Sequence, residues 1–414
     1  MIRIVDEAGA RAILSSRART LGDAEAVARP ILETVRAEGD LALLRYAREF
    51  DRLGTHPLRV TESELAEAEA ALSPCLRQAV ETATRNIREY AEAQLPREHL
   101  AEFSPGRKLG WIVRPLSAVG CYVPSGRYPL PSTLLMTAVL AQTAGVERIV
   151  VTSPKPSPEI LGCAKLLGIT EVYRVGGAHA IAALAFGTET IARVDRIVGP
   201  GNAYVAAAKK LVAGETGIDF VAGPTEILIL AAQADPGVLA ADMLAQAEHD
   251  EAASAMLLTT SRELAETVAR ELEMQLADLP TADVARRSLA SNGFIAILPT
   301  IKEAVALANF CAPEHLSLHD PELLPQIRNA GAVFLGAWSA ESAGDYAAGP
   351  SHVLPTGGVS RLRGGLSVTD FMKVISIQEL TPSALADLAP AITTLARAEG
   401  LEAHARAVEI RCAR

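Results

Sequence analysis

Cysteine is scarce in this chain of 414 residues. The five cysteines, at 75, 121, 163, 311 and 412, are odd in number, widely scattered and form no Cys-x-x-Cys pair. That argues against a disulfide framework and a thiolate zinc site, and makes a reducing cytoplasm the expected location. Long apolar runs are missing as well. The longest, Leu134 to Val146, is broken by Thr137, Gln142 and Thr143, so it reads as a core helix rather than a membrane span. The first residues, Met1 to Leu14, carry Asp6, Glu7 and Arg11 where a signal peptide needs an apolar stretch, so none is expected there. No run of Lys or Arg occurs, and 39 basic residues against 49 acidic ones leave a formal charge of −10. A surface of that sign repels phosphate backbones and anionic headgroups, so neither nucleic acid nor membrane is an expected partner. Low-complexity segments and short-period repeats are also absent.

What is present is the material of a large core. Hydrophobic residues make up 49% and charged residues 21%, as in a globular chain, and the length suits two or three domains. Residues 20–95 are dense in Ala, Glu, Arg and Leu at helical spacing, for example Ala24, Val27, Ile31 and Val35, with turns at Gly39 and at 54–57. From about Val113 the texture changes to strands and helices in alternation. Strands are expected at 149–152, 172–175 and 196–198, followed by helices 159–167, 178–186 and 202–212, the last two opened by Gly176-Gly177 and by Gly199-Pro200-Gly201. Extended structure is expected again at 220–221 and 227–230. A second alternation has helices at 242–250, 264–276 and 301–310, and strands at 255–258, 294–298 and 333–335. Two α/β halves built on parallel sheets follow from this order. From Thr381 the chain returns to helical spacing, with Pro382 where a helix start tolerates it.

Few residues stand out as chemistry on their own. His56, His99 and His319 sit in charged or turn-like surroundings and read as surface or structural residues. Gln246 and His249 are i, i+3 neighbours on a helix, a spacing that suits two ligands of one metal but equally suits a helix C-terminus. Glu314-His315 could act as an acid/base pair, although adjacent residues of a strand point to opposite faces. The loop from Gly344 to His352 would allow close approach of a ligand. Glu399 and His404 read by default as a helix face. The glycine turns at 176–177 and 199–201 could present N–H groups to phosphates, yet neither is a GxGxxG. Cys121 and Cys311 lack a neighbouring His or Lys that would activate a thiolate and read as inert.

Taken together, however, several long stretches resemble the histidinol dehydrogenase family. They are Gly120 to Arg127, Pro131-Ser132-Thr133, GGAHAIAALAFGT from Gly176, GPGNAYV from Gly199 and AGPTEIL from Ala222. They continue with QAEHD from Gln246, PEHL from Pro313, ESAGDYAAGPSHVLPT from Glu341 and EGLEAH from Glu399. Order and spacing match from about residue 25 to the C-terminus.

The resemblance implies a fold and a set of roles. The fold would be α/β: two Rossmann-like α/β domains with a helical C-terminal tail, in an intertwined homodimer with shared active sites. Residues 1–21 would form an N-terminal segment, 22–121 and 229–365 a first domain, 122–228 an inserted NAD-binding domain, and 366–414 a tail crossing to the other subunit. Gln246, His249, Asp345 and His404 would bind one Zn²⁺ per subunit, a mixed nitrogen and oxygen set that suits zinc. His315 would take the alcohol proton and Glu314 would activate water. Ser132, Thr225, His352 and Glu399, together with His315 and the four metal ligands, would contact the substrate L-histidinol. Tyr122, His179 and Asn202 would touch the dinucleotide, with two NAD⁺ consumed in a four-electron oxidation to L-histidine through enzyme-held L-histidinal. Position 179 is His where members of the family carry Gln, and Thr225 stands where some carry Ser. Two other activities fit the same residues: a dehydrogenase of this family acting on another alcohol, such as a sulfonated diol, and a zinc hydrolase with a Glu base.

Overall fold

The computed structural model describes residues 2–16, 22–125 and 128–413. Met1 and residues 17–21 of the expected N-terminal segment lie outside them, as do Gly126 and Arg127 of the first motif. The chain is a mixed α/β molecule, as expected, built on two parallel sheets and one small antiparallel sheet.

A six-stranded parallel sheet runs in the order Arg3–Val5, Phe294–Ile297, Ser254–Thr259, Glu226–Leu230, His315–Leu318 and Ala332–Leu335. Its central strands are apolar on both faces because both are covered. Ile227, Ile229 and Leu257 pack on the helices Pro236–Ala247 and Arg262–Leu276, while Leu228, Leu230 and Met256 pack towards Ile301–Cys311. The five-stranded parallel sheet has the order Glu171–Tyr173, Arg148–Thr152, Ala118–Tyr122, Arg196–Val198 and Gly217–Ile218. Val119, Val151 and Val198 face the helix Pro131–Thr143 on one side; Val150, Tyr173 and Ile197 face Gly177–Phe186 on the other.

Sheet membership draws the boundaries differently from the expected division. The helices between residues 22 and 93 cover the five-stranded sheet: Ala28, Leu32 and Leu43 join its core on one face, and Leu65, Val80 and Ile87 on the other. Strand Ala118–Tyr122 is that sheet's centre, and strand Glu226–Leu230 is one of the two central strands of the other. The strand Arg3–Val5 pairs with Phe294–Ile297, so the N-terminal segment edges the larger sheet. The physical reason is that an amphipathic helix goes to whichever apolar sheet face lacks cover, which sequence order does not specify. We propose that the domains follow the sheets.

Most expected elements are present within a few residues, including the helix Pro382–Ala398 with Thr381 as its cap. Residues 220–221 are irregular rather than a strand. The expected helix at 242–250 starts earlier, as Pro236–Ala247, with Asp235 capping and Pro236 in its first turn. Elements without a sequence-based expectation include the strands Arg3–Val5 and Ala118–Tyr122, the helix Ala282–Asn292, and the antiparallel sheet of His99–Ser104, Arg107–Pro115 and Met372–Leu380.

Candidate functional site

Glu314 and His315 occupy the start of strand His315–Leu318, next to the start of the central strand Glu226–Leu230. Helix Ile301–Cys311 ends with Ala312 in the left-handed region, at φ 50°, before Pro313 turns the chain into the sheet. Because Glu314 lies just outside the strand, strict alternation does not separate it from His315. Both line one cavity of about 270 Å³, and their side chains approach to 3.7 Å (Nδ1 to Oε2).

Glu314 is buried. Its Oε2 accepts hydrogen bonds from Thr225 Oγ1 at 2.7 Å and from the Glu226 N–H at 2.8 Å. Burial pushes its carboxyl up to about 7, against the opposing pull of His315 and these two donors. The Thr225 hydroxyl in turn accepts from Gln246 Nε2 at 3.0 Å. Gln246 is fully buried on the last turn of its helix, and its Oε1 has no hydrogen-bond partner among the described residues.

His315 Nδ1 lies 3.1 Å from the Glu226 carbonyl, which can only accept, so Nδ1 carries the proton and Nε2 keeps a lone pair in the neutral ring. The short helix Glu341–Tyr346 brings two carboxylates to the same imidazole, since residues four apart share a helix face. Glu341 Oε1 stands 3.0 Å from Nδ1, and Asp345 Oδ1 stands 3.8 Å from Nε2. Burial alone would depress this imidazole. Glu341, Glu314 and Asp345 together outweigh it and hold the group well above its ordinary value. The site thus favours the imidazolium, and His315 can take a proton only in its neutral fraction.

His249 follows the helix end and donates Nδ1–H to the Ala245 carbonyl at 2.9 Å, which leaves Nε2 as a ligand lone pair. His352 likewise donates Nδ1–H to the Asp345 carbonyl at 2.8 Å, with Nε2 3.4 Å from Thr133 Oγ1. Its pKa is lowered, chiefly by burial. Ser132, Thr225, His249, Asp345 and His352 all line the cavity of Glu314 and His315. Glu399 and His404 do not: both are exposed on the tail, at the end of Pro382–Ala398 and on Glu402–Cys412. Among the described residues of one chain, no three His, Cys, Asp or Glu side chains gather as a metal site. The expected ligands contain a Gln, and one of them sits on the tail.

Tyr122, His179 and Asn202 line a second cavity, of about 450 Å³. It opens at the carboxyl ends of strands Ala118–Tyr122 and Arg196–Val198, where the five-stranded sheet reverses its strand order, the usual crevice of such sheets. The turn from Gly199 to Asn202 divides the two cavities, with Pro200 and Gly201 facing the first and Asn202 the second. Gly199 has φ 110°, and a side chain there would meet the Tyr122 carbonyl at 2.2 Å. A buried ion pair holds this turn. Lys209 donates to the Gly199 carbonyl at 2.9 Å, Asp219 accepts the Gly199 N–H at 2.8 Å, and the two side chains touch. Asn202 Oδ1 caps helix Ala203–Val212 by accepting from Tyr204 and Val205, each at 3.1 Å.

Two residues given no role from the sequence bear on these cavities: Asp51 lines the second, and Glu341 touches His315 at the first. Glu341 could have been flagged by its i, i+4 spacing to Asp345; nothing in the charged stretch around Asp51 marks it as a partner of His179. Cys121 is buried, and burial pushes its thiol up to about 12, against a nucleophilic role.

The family model described as histidinol dehydrogenase matches residues 14–412. The chain is 46% identical over 411 residues to the histidinol dehydrogenase of Geobacter sulfurreducens, covering 97% of this chain and 96% of that one. It is 48% identical over 391 residues to that of Geobacillus kaustophilus, covering 92% of each. A crystal structure of histidinol dehydrogenase from Elizabethkingia anophelis superposes with a TM-score of 0.94 at 36% identity, covering 99% of this chain and 98% of that one.

Proposed function

This chain belongs to the histidinol dehydrogenase family and is an oxidoreductase, and we propose that it oxidises L-histidinol to L-histidine in two NAD-linked steps through an enzyme-held L-histidinal. The observation that carries this reading is the pairing, in one cavity, of a carboxyl with a pKa raised to about 7 and an imidazole whose Nε2 has no hydrogen-bond partner among the described residues. His315 Nε2 takes the hydroxyl proton of the alcohol, and the flanking carboxylates stabilise the imidazolium that results. Glu314 takes a proton from the water that adds to the aldehyde, with Thr225 and the Glu226 N–H holding the carboxylate in place. His315 serves again as the hydrated aldehyde is oxidised. Enclosure of the site keeps the aldehyde from side reactions. NAD⁺, when bound, accepts the hydride of each oxidation.

Gln246 Oε1, without a hydrogen-bond partner among the described residues, the Nε2 lone pair of His249 and the Asp345 carboxylate support a zinc site, with His404 as the fourth donor. Zinc, when bound, would hold the substrate's amine and imidazole and so orient the carbinol carbon. The exposed His404 and Glu399 favour delivery by a second copy of the chain. Trp338, 99% exposed, lies on a cavity of about 570 Å³ that His315, Asp345 and His352 also line, as an apolar seat for such a tail. Among the described residues no helix is long and apolar enough to cross a membrane; we place the enzyme in the cytoplasm. The decisive assay is NADH formed per histidinol consumed, with and without added Zn²⁺. Two NADH per histidinol, lost on chelation and restored by zinc, is expected; hydrolysis without NADH, or preference for another alcohol in a substrate panel, would overturn the reading.

A further inference from the structure

One wall of the second cavity has its hydrogen bonding determined except at two atoms, one on His179 and one on Tyr122. His179 is 1% exposed, and its Nε2 lies 2.7 Å from Asp51 Oδ2. The same carboxylate oxygen accepts the Gly176 N–H at 2.9 Å. An ionised carboxylate only accepts, so in the neutral ring the proton sits on Nε2 and Nδ1 keeps its lone pair. Nδ1 is buried without a hydrogen-bond partner among the described residues. It lies beside Gly177, where a side chain would meet it at 3.3 Å. The Tyr122 hydroxyl, also beside Gly177, accepts the Gly177 N–H at 3.2 Å and has its own proton left to donate. Burial pushes that phenol up to about 12, so it stays protonated. Asp51, Tyr122, Gly177 and His179 all line the cavity.

We propose that Asp51 is a positioning residue for the dinucleotide: by fixing the tautomer of His179, it presents an acceptor, beside the Tyr122 donor, to a ribose hydroxyl. The proposal rests on reading this cavity as the NAD site. A hydroxyl donates and accepts at once and satisfies both groups, whereas a phosphate oxygen would set acceptor against acceptor at Nδ1. Asp51→Asn can place its carbonyl oxygen where Oδ2 stands and accept both N–H groups, whereas Asp51→Leu accepts neither. Without an acceptor at Nε2 the ring proton is free to move to Nδ1, which then changes from acceptor to donor.

The test reads the tautomer and the binding separately. ¹⁵N NMR of the ring nitrogens in cofactor-free protein, with His179 identified by its loss in His179→Gln, should show the proton on Nε2 in wild type and Asp51→Asn, and both tautomers in Asp51→Leu. NADH titrated by fluorescence without histidinol should bind about tenfold more weakly to Asp51→Leu and within about threefold of wild type to Asp51→Asn. His179→Gln can donate to Asp51 and turn its carbonyl to the cavity, so it should bind within about threefold of wild type, while His179→Leu should lose about tenfold. The histidine variants keep the test open should Asp51→Leu not fold. A proton on Nδ1 in wild type, or NADH binding unchanged in both Asp51→Leu and His179→Leu, would overturn the proposal while leaving the NAD site standing. Failure of wild type to bind NADH would overturn both.

Discussion

Thr225→Val should shift the pH dependence of aldehyde oxidation upward by about one unit, on the free energies of a charged hydrogen bond and of a pKa shift. Glu314 titrates at about 7 because burial penalises its charge, and two donors hold it from rising further. Removing the Thr225 hydroxyl takes one donor from the ionised form, at a cost of about 1.5 kcal/mol. One pKa unit corresponds to about 1.4 kcal/mol, so the carboxyl of the variant should titrate near about 8. The active form is the carboxylate, hence the rate rises as pH passes upward through the pKa. At pH 7 about half of wild-type Glu314 is ionised but only about a tenth of the variant's, a deficit of about fivefold that disappears above about pH 9. The assay is kcat/KM for supplied histidinal across this range, which reports groups of the free enzyme. Thr225→Ser, which keeps the hydroxyl, should follow wild type, and Glu314→Gln should lose the limb altogether. Coincident limbs in wild type and Thr225→Val, or a limb retained in Glu314→Gln, would refute Glu314 as the base of the second oxidation.

Co-expressed His249→Asn and His404→Asn chains should recover about a quarter of wild-type activity, because random pairing makes about half the dimers mixed and each mixed dimer has one intact site; recovery of nothing would show that His404 serves its own chain. Glu341→Gln should slow both oxidations by about 10²-fold or more by removing the carboxylate beside His315 Nδ1. Its thermal midpoint should also fall, because the change removes one partner of a buried charge pair 3.0 Å apart. Full activity with a lowered midpoint would make Glu341 a structural residue only. Lys209→Met should cost about 3–5 kcal/mol in urea unfolding by leaving the Asp219 charge buried and unpaired. A loss below about 1 kcal/mol would show that the pair does not hold the turn between the cavities.

The sequence by itself determined most of the elements and the family. Continuous β-branched runs such as Ile149-Val150-Val151 can only be strands with both faces covered, and glycine turns before Ala-rich segments marked helices Gly177–Phe186 and Ala203–Val212. Those signals are local: a few consecutive side chains state the period and the burial. Exposed elements carry no such pattern, which is why strand Met372–Leu380, with Val374 and Ile375 open to solvent, was not legible; its identity comes from pairing with residues 107–115. Glu314 and His315 were legible as neighbours, yet only the strand beginning at His315 turns both into one cavity. The tertiary structure alone decided that helices 22–93 cover the smaller sheet, that Glu341 faces His315, and that Asp51 holds His179 across 128 residues of chain. Side-chain period is written along the chain, but the meeting of distant polar groups is set by how helices and sheets exclude water together, and no local pattern records it.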